Sequence, residues 1–222
     1  MKKFIFLLIL SLPAFALGQG IHGNNFTVSS GWTFGDTDLE GLELDSDWFS
    51  DFRINYFVSN EFYLTSGIGL SSATYKDDGT LSGNLIARIT GNNVSFGLGV
   101  GYESRIDDSL AVFTEGGFIV GTGNLDAVLF GGNRVSFDTT TRRAAASFGV
   151  RGKVDNLLTS LSGSLFTSVI DYDLAGLDDV TSSGISLNGY VTYNIFENVN
   201  LGLAADTDFE IHFIGLKSII TF

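Results

Sequence analysis

From residue 24 onward, apolar side chains return at every second position in one segment after another. Phe26, Val28, Trp32 and Phe34 share a face, broken only by Ser30, while Thr27, Ser29, Gly31 and Thr33 lie opposite. Trp48, Phe52, Ile54, Tyr56 and Val58 repeat the pattern, as do Phe62, Leu64, Ile68 and Leu70, then Val94 through Tyr102, then Leu110, Val112, Phe118 and Val120. A period of two is the mark of extended strands with one greasy and one wet face. The last eleven residues, HFIGLKSIITF, read as one more such strand. It carries Ile214, Leu216, Ile220 and Phe222 on one side and Gly215, Lys217 and Thr221 on the other, where Phe213 and Ile219 make the face mixed.

No later segment offers the roughly 18 unbroken apolar residues of a membrane helix. Strands that present apolar side chains outward can still cross a bilayer, but only as a closed barrel. Lipid supplies no water for the backbone groups of an open sheet edge. Residues 1–18 read as a cleaved secretory signal: Lys2 and Lys3, the apolar run 4–10, then Pro13 and the small-residue stretch Ala14-Phe15-Ala16-Leu17-Gly18. The run is too short to span a bilayer as a helix. Residues 19–222 are then one barrel domain.

Composition fits that reading. The single Pro, Pro13, and the single Met, Met1, both fall in the signal, and the chain has no Cys. A closed barrel has no edge to accommodate a residue that cannot donate to the ladder. Absence of Cys excludes both a disulfide framework and a lipid-modified N-terminus. The net charge of −13, which becomes −15 without Lys2 and Lys3, argues against a nucleic-acid partner.

Four short polar turns separate long alternating runs: Ser59-Asn60-Glu61, Arg105-Ile106-Asp107-Asp108, Val154-Asp155-Asn156 and Phe196-Glu197-Asn198. Their near-regular spacing describes a repeat of strand, long loop, strand, short turn. In outer-membrane barrels the short turns lie on the periplasmic side. The expected architecture is all-β, a transmembrane antiparallel up-and-down β-barrel of about ten strands. Those strands cover 24–35, 47–58, 62–76, 94–104, 109–122, 143–153, 157–171, 183–195, 199–208 and 210–222. Residues 81–90 alternate in the opposite phase, with Leu85, Ala87 and Ile89 on one face, and residues 126–139 resemble a further hairpin. If both crossed the membrane the count would be twelve; a misread early pair would leave eight. Aromatics beside the turns (Tyr56, Phe57, Phe62, Tyr63, Tyr190, Tyr193, Phe196, Phe222) and beside the first outer loop (Trp32, Phe34, Trp48, Phe49) suggest two interfacial girdles.

The signal segment, the hairpins INYFVSNEFYLTSGIGL and FGLGVGYESRIDDSLAVFTEGG and the terminal SIITF together resemble the small outer-membrane β-barrel family, of OmpA-like or porin-like barrel domains. The resemblance covers essentially the whole chain after the signal. It implies location in the cell outer membrane, contact with outer-membrane lipid, and Phe222 as a signal to the barrel-assembly machinery during insertion. It brings no residue of known activity.

Chemistry is sparse. Glu210-x-His212 is an acid–His pair of the kind that can polarise water, but a facing acid pair is needed, and a polar rim is the simpler account. Asp36-x-Asp38-x-Glu40-Gly41 spaces oxygen ligands as Ca²⁺ sites do, yet the twelfth position holds Asp47 where that loop needs a bidentate Glu. Asp36, Asp38 and Glu40 are therefore weak metal candidates in a hydrated acidic loop. No cofactor is implied and no enzyme is expected. By parity Arg53, Arg88, Arg105, Arg151, Lys153 and Lys217 face the lumen, where a small barrel is filled by its own side chains. The expected role is structural or one of surface interaction through the outer loops, with an extracellular ligand unnamed. A small porin-like channel is the alternative, and a rim enzyme the remaining one.

Overall fold

The computed structural model describes residues 23–35, 42–77, 80, 81, 84–129, 132–173, 179–209 and 211–222. The signal segment, the metal candidates Asp36, Asp38 and Glu40, and Glu210 all lie outside the described residues. The strands are β1 (Asn25–Gly35), β2 (Leu42–Phe57), β3 (Phe62–Asp77), the two-residue β4 (Thr80–Leu81), β5 (Asn84–Arg105), β6 (Leu110–Leu129), β7 (Arg134–Val154), β8 (Leu157–Tyr172), β9 (Val180–Phe196), β10 (Val199–Thr207) and β11 (Ile211–Thr221). Each stave pairs antiparallel with its neighbours, β3 pairs with β5, and β1 pairs with β11. The β1–β11 pairing closes the ring, so the chain forms a ten-stranded antiparallel barrel, with β4 as a small rung on β5.

All four short turns form where the sequence places them, and each is held by local bonds. Ser59 Oγ accepts the N–H of Glu61 and of Phe62. The Asp107 carboxylate accepts from both the N–H and the hydroxyl of Ser109, each at 2.7 Å. Asp155 takes φ 51°, the left-handed region that short polar turn residues tolerate. Where β1 and β11 meet, Gly31 faces Gly215. A Cβ on Gly31 would come within 2.2 Å of the Ile214 carbonyl oxygen, so only glycine lets the two strands approach this closely.

Outward, the barrel carries a continuous apolar belt. Val94, Phe96, Leu98 and Val100 on β5 are exposed, as are Phe118 and Val120 on β6, Leu161 and Leu165 on β8, and Leu201 and Leu203 on β10. Ile214 and Leu216 complete it on β11. On β5 the belt runs over residues 94–102, close to the 9–11 that a tilted strand needs to cross a bilayer. Such a belt has no second layer to pack on and is stable only against lipid. At the long-loop end Trp32 pairs with Trp48 across β1 and β2. At the short-turn end Phe62 packs edge-on to Tyr102, with ring centroids 5.0 Å apart, and Phe196 and Phe222 are exposed at the same end of other strands.

Two groups of aromatics depart from the girdle expectation. Phe57 and Tyr63 are 1% exposed and stack on each other inside the barrel, centroids 4.9 Å apart. Phe49 also points inward, edge-on to Phe213, and Tyr190 lies in the lumen beside Lys217. The reason is parity: outward positions on β2 and β3 are even, so the odd Phe49, Phe57 and Tyr63 face the lumen.

The barrel is lopsided. Strands β5, β6 and β7 have 22, 20 and 21 residues, against 9 in β10 and 11 each in β1 and β11. The segments that suggested additional staves instead continue β5, β6 and β7 past the belt as a projecting wall. In the wall the polarity of the two faces is exchanged. Ile89, Ala127 and Phe137 are buried on the inner side, packed with Leu125, Leu129 and Tyr172. The outer side carries Asn124, Ser136 and Asp138, joined by hydrogen bonds at 3.1 Å. The inward Ile89 thus marks a strand that has left lipid, and beyond it the register against β6 shifts between Ile86 and Arg88.

Candidate functional site

Inside the lumen at the short-turn end lies a connected set of charges. Arg151 donates to Glu103 Oε2 at 2.7 Å and to the Tyr63 hydroxyl at 3.2 Å. Tyr63 in turn donates to Glu115 Oε2 at 3.0 Å, and Arg53 donates to Glu115 Oε1 at 3.1 Å. Arg53 Nε also lies 3.7 Å from Asp51. The chain Glu103–Arg151–Tyr63–Glu115–Arg53–Asp51 crosses the barrel from β5 and β7 to β2 and β3. The Glu103 side chain is fully buried, which only a strong ion pair tolerates. Arg151 also lies flat over Phe113, 4.0 Å from the ring centroid. Beside this chain Lys217 donates to Ser29 Oγ at 3.2 Å and sits 4.8 Å from the Tyr190 ring.

Local sequence makes room for the network. The Tyr63 ring lies against Gly101, where a Cβ would fall 2.0 Å from Cζ. Near the short-turn end the buried Asn24, Asn25 and Asn55 add an amide layer. Asn24 Oδ1 accepts the Phe57 N–H at 2.8 Å, and Asn55 donates to Asn25 at 3.0 Å.

Of the six bases expected in the lumen, Arg53, Arg151 and Lys217 are there. Arg88, Arg105 and Lys153 are exposed instead, Arg88 on the outer side of the wall and the other two at the short-turn end. Those positions lie beyond the belt, where facing inward or outward no longer decides contact with water. Arg143 faces the lumen near the long-loop end, 4.1 Å over the Phe166 ring, and its odd parity on β7 was the available signal. The carboxylates Glu103 and Glu115 share that parity, but only the register shows which base each one meets.

At the rim, His212 is on the outward side of β11. Its Nδ1 is 2.7 Å from Thr207 Oγ1, and its ring lies 5.5 Å from Phe34. Among the described residues, no three His, Cys, Asp or Glu side chains are grouped to hold a metal ion. Phe222 is exposed, and its N–H donates to the Asn24 carbonyl at 3.0 Å, tying the final residue to the first strand.

The short side of the barrel leaves a notch in the rim. Pairing of β9 with β10 ends at Leu187–Thr207, while β9 continues to Val180 on β8. Pairing of β1 with β2 ends at Thr33–Asp47, while β2 continues to Leu42 on β3. Two strand edges therefore stand above β10, β11 and β1, four strand spacings apart, roughly 19 Å.

A closed ring of staves, a lipid-facing belt with aromatic margins and a charged lumen define a transmembrane β-barrel of the outer-membrane type. The fold is similar to that of the transport unit of the Escherichia coli autotransporter AIDA-I, with a TM-score of 0.56 at 11% identity over 100% of this chain and 98% of that one. The β domain of the Bordetella autotransporter BrkA gives 0.55 at 9% identity, covering 90% of this chain and 99% of that one. An outer-membrane channel from Pseudomonas putida F1 gives 0.50 at 14% identity, covering 93% and 97%. No family model and no curated protein matches the sequence. At these identities the likeness is one of fold.

Proposed function

We propose that this protein is an integral outer-membrane barrel with a closed lumen, acting through its asymmetric outer rim in a structural or surface-interaction role. The supporting observation is the network Glu103–Arg151–Tyr63–Glu115–Arg53, whose hydrogen-bonded side chains link β2, β3, β5, β6 and β7 across the lumen at the short-turn end. In this reading the short turns are periplasmic, the belt contacts outer-membrane lipid, residues 1–18 are removed on export, and Phe222 is presented to the assembly machinery. The role is non-enzymatic, since His212 is engaged by Thr207 and Phe34 on the outward face.

Planar-bilayer recording tests it. The folded, heat-modifiable protein should give no conductance steps above baseline, and Arg151→Ala with Glu103→Ala should introduce them. Steady steps from the unsubstituted protein would instead establish the porin-like alternative.

A further inference from the structure

The edge of β9 above the notch is open, and its open groups are identifiable. The Asn194 N–H donates to the Asn156 carbonyl, so at that point β9 turns its bonding groups toward β8. In an antiparallel ladder this alternates residue by residue. The β8–β9 register is unbroken up to Ile170–Val180, so the even residues Ser182 and Gly184 also face β8. The Ser182 carbonyl accepts the Thr167 hydroxyl from β8, as that phase requires. The N–H and C=O of Thr181, Ser183 and Ile185 therefore point into the notch. Among the described residues, no hydrogen bond satisfies them on that side. All three residues are exposed.

An unpaired run of this length is a template for another strand. The segment has no charge and no proline of its own to block pairing. The notch is also acidic. Asp47 tops the β1–β2 pair, Asp206 lies near the end of β10, Asp208 follows it, and Asp179 precedes β9. Oδ1 of Asp47 is buried with no hydrogen-bond donor among the described residues. Arg143, on the lumen side, is a base whose field reaches Asp206 and Asp208, and that of Arg53 reaches Asp206 as well.

We propose that the notch binds an extended, positively charged peptide segment, which adds a strand to β9 by pairing with Thr181, Ser183 and Ile185. Backbone bonds supply the attachment and the flanking aspartates select for Lys or Arg. The inference rests on the rim-interaction reading and gives that rim a partner chemistry.

The test uses the full folded chain in nanodiscs and an eight-residue peptide alternating Lys with Val and Thr. Amide hydrogen exchange is the decisive readout. Bound peptide should slow exchange at Thr181, Ser183 and Ile185 and leave the already paired Ser182 and Gly184 unchanged. A Glu-for-Lys peptide should bind at least about tenfold more weakly, a difference of about 1.4 kcal/mol. Ser183→Pro, checked for folding by heat-modifiable migration, should abolish binding because proline cannot donate. If that variant does not fold, the exchange pattern of the unsubstituted protein decides alone.

No binding, equal binding of the Glu peptide, or protection confined to another strand edge, residues 42–46 of β2 or 134–137 of β7, would overturn the proposal. So would protection of Thr181, Ser183 and Ile185 that appears without peptide as protein concentration rises, which would make the occupant a second copy. Absence of peptide binding in a non-conducting barrel defeats this inference alone, whereas channel activity defeats the function proposed above.

Discussion

The belt and the projecting wall are built from the same three strands and obey opposite rules. Within the belt, β5, β6 and β7 turn Leu98, Val120 and Phe148 outward and keep Glu103, Glu115 and Arg151 inside. A few residues further along β5 and β6, Ile89 and Ala127 are inside while Asn124 is outside. The backbone ladder is continuous through the change, so hydrogen bonding does not determine it. The surrounding medium does: lipid demands apolar atoms outside, and water demands them inside. The exchange of faces locates the water line on the chain.

The largest expected effect is inside the belt. Arg151→Met leaves the Glu103 carboxylate buried without its partner and should cost about 3–5 kcal/mol in urea unfolding from lipid vesicles. Glu103→Leu added to it should recover most of that loss, because the cost lies in the orphaned charge. A double variant no more stable than the single one would mean that Arg151 acts mainly by packing on Phe113.

The sharpest break of the comparison uses two outward positions four residues apart on β6. Val120→Arg places a cation against lipid and should destabilise by about 2–4 kcal/mol. Asn124→Arg, past the water line, should stay within about 0.5 kcal/mol. Equal costs would show that the line has been drawn in the wrong place. Smaller again is Ile89→Val, which trims the inner face of the wall and should cost about 0.5–1.5 kcal/mol. That loss should raise exchange at Ala127 and Phe137 without moving the belt.

Where the phase of alternation was constant, the sequence was sufficient. It located the four turns, the ten staves and the inward placement of Arg53, Arg151 and Lys217. Strand ends were not legible because the outward-apolar pattern stops at Val94 and Val120, whereas the ladder needs no lipid and continues. Tyr63 and Phe57 lie beside a turn, which suggests a girdle, but their odd parity turns them into the lumen. The partner of Arg53, Glu115, is 62 residues away in sequence, and only the pairing of β3 with β5 and of β5 with β6 brings them together. The notch was illegible for a related reason. It arises from the unequal lengths of paired neighbours, a property that no single segment carries.

The smallest effect lies outside both regions, in the turn between β5 and β6. Two donors from Ser109 on the fully exposed Asp107 hold its carboxyl below the ordinary carboxylate range. A depressed folded value means that the turn's stabilisation is complete above the unfolded pKa of about 3.9 and is lost as pH falls through the lower folded value. The Ser109 amide resonance should accordingly titrate below 3.9 and become independent of pH over that range in Asp107→Asn. The belt and the wall should show no matching transition, because the turn is solvated and its bonds are local to residues 107–109. A Ser109 midpoint at or above 3.9 would show that the two bonds do not favour the charged form. The order of the turn would then come from the Ile106–Leu110 backbone bond at 2.8 Å instead.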